Sequence, residues 1–140
     1  MISKSRVVVR YAETDKMGIV HHSRYAVWFE VGRTDLTRCL GLTYTEMESM
    51  GVLLPVLELQ CRYHKPALYE DEVTVETRLS ALERVRMEFS YRVVRDRDGA
   101  LLCTGITRHA VVGKDMRPFN LQKRFPELYE TLRKAEEPET

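Results

Sequence analysis

Residues 11–33, YAETDKMGIVHHSRYAVWFEVGR, change their pattern half-way along, and this change decides the fold. The first half is polar and contains carboxylates, a glycine and two adjacent histidines. From Ser23 onward the apolar residues recur at steps of three and four, as on the buried side of a helix. They are Tyr25, Trp28, Phe29, Gly32, Leu36, Cys39 and Leu40. Because Ser23 suits an N-cap and Gly41 a helix stop, we predict a largely buried helix of about eighteen residues.

The chain on either side of this helix has the period of two that is typical of strands. Residues 5–11, SRVVVRY, predict a first strand because β-branched side chains dominate. After a short helix at residues 45–50, alternation predicts strands at 56–63, 73–81 and 85–93, and DRDG predicts a hairpin turn into a last strand. We expect each strand to bury one face, formed in two of them by Leu57, Leu59, Cys61 and Tyr63, and by Val73, Val75, Thr77, Leu79 and Ala81.

These elements predict an α+β fold in which one long helix is followed by a meander of four strands and lies against a curved antiparallel sheet of about five strands. A chain of 140 residues offers the apolar face of such a sheet no other partner. An amphipathic C-terminal helix at residues 121–134 is expected at the periphery, and residues 1–140 are expected to form a single domain. The scattered cysteines Cys39, Cys61 and Cys103 indicate buried thiols, not a disulfide framework.

The charge balance argues against several classes of partner. Lys and Arg number 22 against 21 Asp and Glu, so no broad basic field is available for nucleic acid or an anionic membrane surface. The longest apolar runs, such as residues 52–57, are far shorter than the roughly 20 residues of a membrane-spanning helix. Charged residues stand at positions 4, 6 and 10, where a signal peptide would be apolar. We therefore expect a cytoplasmic protein.

Two segments of the chain resemble a known family. YAETDKMGIVHHSRYAVWFE and, further along, YHKPALYEDEVTVET are similar to the hotdog-fold acyl-CoA thioesterases of the 4-hydroxybenzoyl-CoA thioesterase-like branch. The resemblance implies hydrolysis of an acyl- or aryl-CoA to the free acid and CoA, with no cofactor beyond the CoA of the substrate. It implies that Asp15 is the catalytic carboxylate and that the backbone N–H of His22 polarises the thioester carbonyl. It also implies a homodimer or homotetramer with its sites at subunit interfaces.

The chemistry of a thioester agrees with such a site but leaves its details open. Hydrolysis needs a nucleophile or base and a place for the oxyanion, and Asp15 could attack the carbonyl or activate water. The first N–H groups of the predicted helix, near His22, could hold the oxyanion. Gly18 could let the loop turn and a ligand approach, or merely form a turn. The His22 ring could orient a reacting group or only pack at the helix start.

The histidines and Glu30 are the other candidates for metal binding or acid catalysis. Adjacent histidines on an emerging helix point about 100° apart, so His21 and His22 are a poor pair for one ion with Asp15. His64 and His109 have no short ligand spacing, and we predict no metal site. Glu30 lies roughly 12 Å along the helix from His22, too far to act on the same carbonyl. We interpret it as a structural partner of Arg33 or of a strand.

For substrate binding, the turn LERVRM places Arg84 and Arg86 at one tip, and the resemblance implies that this turn meets the nucleotide end of CoA. Tyr25 is expected to contact the acyl group, whose aromatic or aliphatic nature stays open. Two alternatives to the thioesterase also stay open. One is a non-catalytic acyl-CoA-binding or scaffold protein, and the other is a hotdog dehydratase or hydratase.

Overall fold

The structure, a computed structural model, describes residues 1–138. Its elements are β1 (Ile2–Val8), α1 (Arg24–Cys39), α2 (Tyr44–Met50), β2 (Val56–Tyr63), β3 (Glu72–Leu82), β4 (Arg86–Arg95), β5 (Leu101–Ala110), α3 (Leu121–Arg124) and α4 (Pro126–Ala135). The strands form one antiparallel sheet in the order β1-β3-β4-β5-β2, and α1 packs on it. The predicted α+β class is confirmed, and the architecture is the hotdog fold that the resemblance implies.

The central helix α1 approaches the sheet closely because small residues stand where the two surfaces meet. Trp28 and Phe29 are at most 2% exposed, and the Phe29 ring stacks on that of Tyr91 with 4.2 Å between centroids. A β-carbon at Gly32 would overlap the Thr77 hydroxyl on β3. The predicted buried stripe therefore packs on the sheet, with Gly32 as the point of close approach.

The ends of the helices follow the predicted capping with small differences. Gly41, just after α1, has a φ of +80°, as expected of a helix stop. The Thr43 hydroxyl accepts a hydrogen bond from the Glu46 N–H, so α2 begins at Tyr44, one residue earlier than predicted. The prediction for Cys39 is wrong, because this thiol is exposed on the last turn of α1. Cys103 is buried and Cys61 half-buried, and all three thiols are free.

Three predictions about the strands are corrected. The first strand is Ile2–Val8, not 5–11, because a 3-10 turn occupies Tyr11–Glu13. A bulge between Leu79 and Ala81 turns Ser80 and Leu82 inward, where alternation predicted Ala81. The strands after α1 are not one meander, since β2 pairs with β5 at the sheet edge while β1 pairs with β3.

The edge strand β2 does not bury the face that its alternation predicted. Leu57, Leu59 and Tyr63 are between 45% and 55% exposed. The physical reason is the position of α1, which packs mainly against β1 and β3, toward the opposite edge of the sheet. An apolar row therefore lies uncovered along an open sheet edge, which is the kind of surface that proteins usually cover.

The predicted C-terminal helix is divided in two. Phe125 precedes Pro126, and a residue before proline is disfavoured in the helical region. Its backbone accordingly leaves the helical conformation, and α4 begins at Pro126. Of the four apolar side chains predicted to share one face of this helix, Leu121, Leu128 and Leu132 are buried and Phe125 is half-buried. Among the described residues, no helix combines the length and apolar character needed to cross a membrane.

Candidate active site

Asp15 lies on a tight hairpin between β1 and α1. Thr14 and Val20 form an antiparallel bridge, and the Asp15 N–H donates to the Ile19 carbonyl at 2.9 Å. The turn is closed by the Gly18 N–H, which donates to the Asp15 carbonyl at 2.9 Å. Gly18 has a φ of +81°, and a β-carbon there would meet nothing within 4 Å. The glycine is thus required by the backbone conformation of the turn, which is one of the two roles considered for it.

The Asp15 carboxylate is half-buried and is held by one of its oxygens. Oδ1 accepts a hydrogen bond from the Met17 N–H at 2.8 Å, which orients the side chain over the turn. Within residues 1–138, Oδ2 accepts no hydrogen bond and Asp15 forms no ion pair. One oxygen is therefore available to a bound molecule.

The hydrogen bonds at the start of α1 determine which main-chain donors are used there. The Arg24 N–H donates to the His21 carbonyl at 3.0 Å, and the Ser23 N–H donates to the His21 Nδ1 at 3.2 Å. Ser23 is the N-cap residue, as predicted, but its hydroxyl contacts the His21 Nδ1 at 2.8 Å and caps no helix N–H. The His21 ring lies 4.1 Å from that of His22. The N–H of His22 has no hydrogen-bond partner in the described part of the chain. It is the unsatisfied donor expected at a helix start.

Two tyrosines stand beside this donor. The Tyr63 hydroxyl donates to the His22 carbonyl at 3.0 Å, which fixes the peptide that follows the free N–H. The Tyr25 ring lies edge-on to that of Tyr63, with 5.2 Å between centroids. Burial raises the pKa of Tyr25 to about 12, so its hydroxyl stays protonated at neutral pH.

An apolar cavity of about 280 Å³ brings these groups together. Its lining consists of Asp15, Met17, Ile19, Val20, His22, Tyr25, Tyr63, His64, Lys65 and Pro66. The structure thus unites three predicted site residues, Asp15, His22 and Tyr25, in one wall. Sequence reasoning missed the contribution of the segment 63–66. The resemblance of YHKPALYEDE to the family is the signal that could have indicated this part of the site.

A second and more polar cavity, of about 660 Å³, adjoins the first. Tyr11, Ala12, Thr14, Asp15, Lys16, His21, Ser23 and Arg24 line it, so Asp15 belongs to both walls. Neither Lys16 nor Arg24 forms an ion pair with another described residue. The arrangement offers an apolar compartment on one side of the carboxylate and cationic side chains on the other.

The predicted cations Arg84 and Arg86 do not lie near Asp15 in the same chain. Arg86 pairs with Ala110 at one end of β5, whereas Tyr63 pairs with Cys103 near the other. Those two positions on β5 are roughly 23 Å apart at the usual rise of a strand. A contribution of these arginines to this cavity would have to come from another subunit.

Glu30 and His109 do not line the cavity that contains Asp15. Glu30 is exposed and forms no ion pair with Arg33 among residues 1–138; the Arg33 guanidinium instead lies near the hydroxyls of Tyr44 and Tyr91. His109 is buried on β5, where its Nδ1 bonds the Leu54 carbonyl. The part of the chain that the structure describes contains no group of three or more side chains suited to a metal ion.

Comparison with known proteins assigns the family. The model of the thioesterase-like superfamily matches residues 9–139. The chain belongs to this superfamily. This superfamily member is 38% identical to a protein named putative acyl-CoA thioesterase YneP of Bacillus subtilis, over 96% of the chain and 97% of that protein. The predicted assignment to the hotdog thioesterases and to the thioester hydrolases is confirmed.

Solved structures of similar proteins agree with this assignment. The superfamily member superposes on a structure described as DHNA-CoA thioesterase from Staphylococcus aureus with a TM-score of 0.90 and 36% identity, covering 95% of this chain and 89% of that one. A hypothetical protein from Thermus thermophilus gives a TM-score of 0.86 and 42% identity, with 95% and 98% coverage.

Proposed function

We propose that the protein hydrolyses the thioester bond of an acyl- or aryl-CoA, releasing the free acid and CoA. Asp15 acts as nucleophile or general base, and the His22 N–H stabilises the oxyanion that develops on the carbonyl. The single observation that carries the proposal is geometric. Asp15, which has one carboxylate oxygen without a hydrogen bond among the described residues, and His22, just before α1, line the same apolar cavity.

The two cavities suggest where the two parts of the substrate bind. The acyl group enters the apolar cavity against Tyr25 and Tyr63, while the polar carrier arm lies along the side of Lys16 and Arg24. A volume of about 280 Å³ favours a short or aromatic acyl group over a long chain. The name of the similar Staphylococcus aureus protein, a DHNA-CoA thioesterase, supports an aromatic acid. A cytoplasmic location stays a prediction.

The proposal is tested by thiol release from a panel of CoA thioesters. We expect benzoyl- and hydroxynaphthoyl-CoA to be cleaved with a higher kcat/KM than palmitoyl-CoA. A methylene group that does not fit a hydrophobic pocket disfavours a substrate by about 1–3 kcal/mol. Tight binding without cleavage of any thioester would favour the acyl-CoA-binding protein instead. Hydration of enoyl-CoA in the same panel would favour the hydratase.

A second subunit is part of the proposal because β2 has an uncovered apolar row and an open sheet edge. On α1, Val27 and Val31 are also exposed, at 48% and 38%. The opposite face of β2 is polar, with Arg108 bridging Glu58 and Glu88. An association that pairs β2 with β2 of a second copy would cover the apolar row and remove the open edge. We propose a homodimer, or a homotetramer built from dimers.

In such a dimer, Arg84 and Arg86 of one subunit meet the phosphates of CoA bound at Asp15 of the other. We expect R84A/R86A to lower kcat/KM for acyl-CoA by about tenfold to a hundredfold, the value of lost charge-assisted hydrogen bonds. The rate with an acyl N-acetylcysteamine thioester, which lacks phosphates, should not change. R133A, which removes an exposed arginine on α4, is the matched control.

Mixing subunits separates the two possible origins of the cations. A mixed dimer of D15N and R84A/R86A chains contains one intact site if the arginines act across the interface. Statistical mixing then restores about one quarter of the wild-type rate. No restoration, together with a raised KM in K16A/R24A, would instead assign phosphate binding to the cations of the same chain.

A further inference from the structure

Glu13 carries a buried carboxylate two residues before Asp15, and the mechanism above makes no use of it. Its side chain is only 4% exposed. Burial of a carboxylate is costly unless its oxygens accept hydrogen bonds, so acidic residues are rarely buried without partners. The contacts of Glu13 therefore indicate what it does.

Each polar atom of Glu13 joins a different part of the site. Oε1 accepts a hydrogen bond from the Arg10 N–H at 2.8 Å, where the chain leaves β1. Oε2 accepts one from the Trp28 indole N–H at 3.0 Å, on the buried face of α1. The main-chain carbonyl accepts one from the His21 N–H at 2.8 Å, which closes the base of the hairpin. Glu13 thus connects the hairpin to the helix from which the oxyanion donor projects.

The geometry requires a carboxylate and not an amide. Both side-chain oxygens face N–H donors, those of Arg10 and Trp28. A carboxylate offers two acceptors, whereas glutamine offers one oxygen and would turn its NH₂ group toward another N–H. Substitution by glutamine therefore breaks one of the two connections without changing the size of the side chain.

We propose that Glu13 is a positioning residue that holds the Asp15 carboxylate at a constant place relative to the His22 N–H; the proposal rests on the proposed function. Asp15 lies within the loop that the hydrogen bond between Glu13 and His21 closes, and His22 follows directly after this loop. The other arm of the hairpin is held separately, by the Val20 N–H bonded to the Ala67 carbonyl at 2.9 Å. Loss of the Glu13 contacts should therefore loosen the site without releasing the hairpin.

The test compares E13Q with the wild type in turnover, binding and backbone exchange. We expect kcat to fall by about tenfold to a hundredfold, because small misplacements of reacting groups are costly. The KM and the Kd for a non-hydrolysable thioether analogue of the best CoA substrate should change less than about twofold, since the cavity walls are kept. Amide hydrogen exchange in residues 14–22 should accelerate.

Two further variants distinguish positioning from general loss of stability. L121A removes a fully buried side chain far from the hairpin and should lower the melting temperature while kcat per folded protein stays near that of the wild type. W28F removes the indole donor of the hydrogen bond to Glu13. Because E13Q and W28F act on the same contact, kcat of the double variant should fall by less than the product of the two single effects.

The outcomes separate this inference from the proposed function. Wild-type protein that binds the thioether but cleaves no thioester would overturn the function, while exchange in residues 14–22 would still test whether Glu13 holds the hairpin. Thioester cleavage with unchanged kcat in E13Q would overturn the positioning role alone. A parallel fall of kcat in E13Q and L121A would do the same, because only stability would then matter.

Discussion

D15N is expected to lower kcat for thioester hydrolysis by about a hundredfold to ten-thousandfold, the usual value of a catalytic base or nucleophile. The asparagine oxygen can still accept the hydrogen bond from the Met17 N–H, so the hairpin turn should keep its shape. What is lost is the carboxylate, and with it the nucleophile or base, at a residue that lines the cavity. The Kd for a thioether analogue should change little, and thiol release measures the loss of turnover.

D115N is the matched control for this variant. The Asp115 carboxylate accepts a hydrogen bond from the N–H two residues ahead, at 3.0 Å, just as Asp15 does, but it does not line the cavity. We expect it to keep the wild-type rate. A D15N rate within tenfold of the wild type would refute the proposed role of Asp15. Trapping of an acyl hydroxamate by hydroxylamine in single turnovers would favour the nucleophilic route over the general base.

G105A is expected to have the largest effect on folding. A β-carbon at Gly105 would overlap the Phe29 ring and lie 2.6 Å from the Gln60 carbonyl oxygen on β2. Neither neighbour can move easily, because Phe29 is fully buried and stacked on Tyr91 while the carbonyl belongs to the sheet. Overpacking of this kind costs about 1–3 kcal/mol or more. At the upper value the melting temperature should fall by about 10 °C.

G113A is the control substitution for this prediction. The atom nearest to its β-carbon would be an oxygen of the Asp115 side chain, at 3.1 Å, all other neighbours would be at least 3.8 Å away, and Gly113 does not have a positive φ. We expect a change in the free energy of unfolding below about 1 kcal/mol, measured by urea denaturation. Replacing Phe29 by leucine in the G105A background should recover part of the loss. Equal stability of G105A and wild type would contradict the close packing of α1 on β5.

The elements that could be predicted are those whose signal is local. The stripe containing Trp28 and Phe29 has helical spacing, and alternation marks the strands, because burial of one face imposes a period on the sequence. Local chemistry also marks the glycine turn beside Asp15. The bulge after Leu79 and the pairing of β2 with β5 leave no such local signal. Each depends on which strand lies alongside, and that is a property of the assembled sheet.

By itself, the sequence determined the fold class, the buried helix, and the segment that contains Asp15 and His22. It did so because periodicity and capping act over a few residues, and because the segment resembles those of a known family. Only the tertiary structure decided that Tyr63 and Pro66 complete the cavity, that Glu13 is buried against Trp28, and that Arg84 lies at the far end of the sheet. These facts depend on distances between residues remote in sequence, which arise only when the chain is packed.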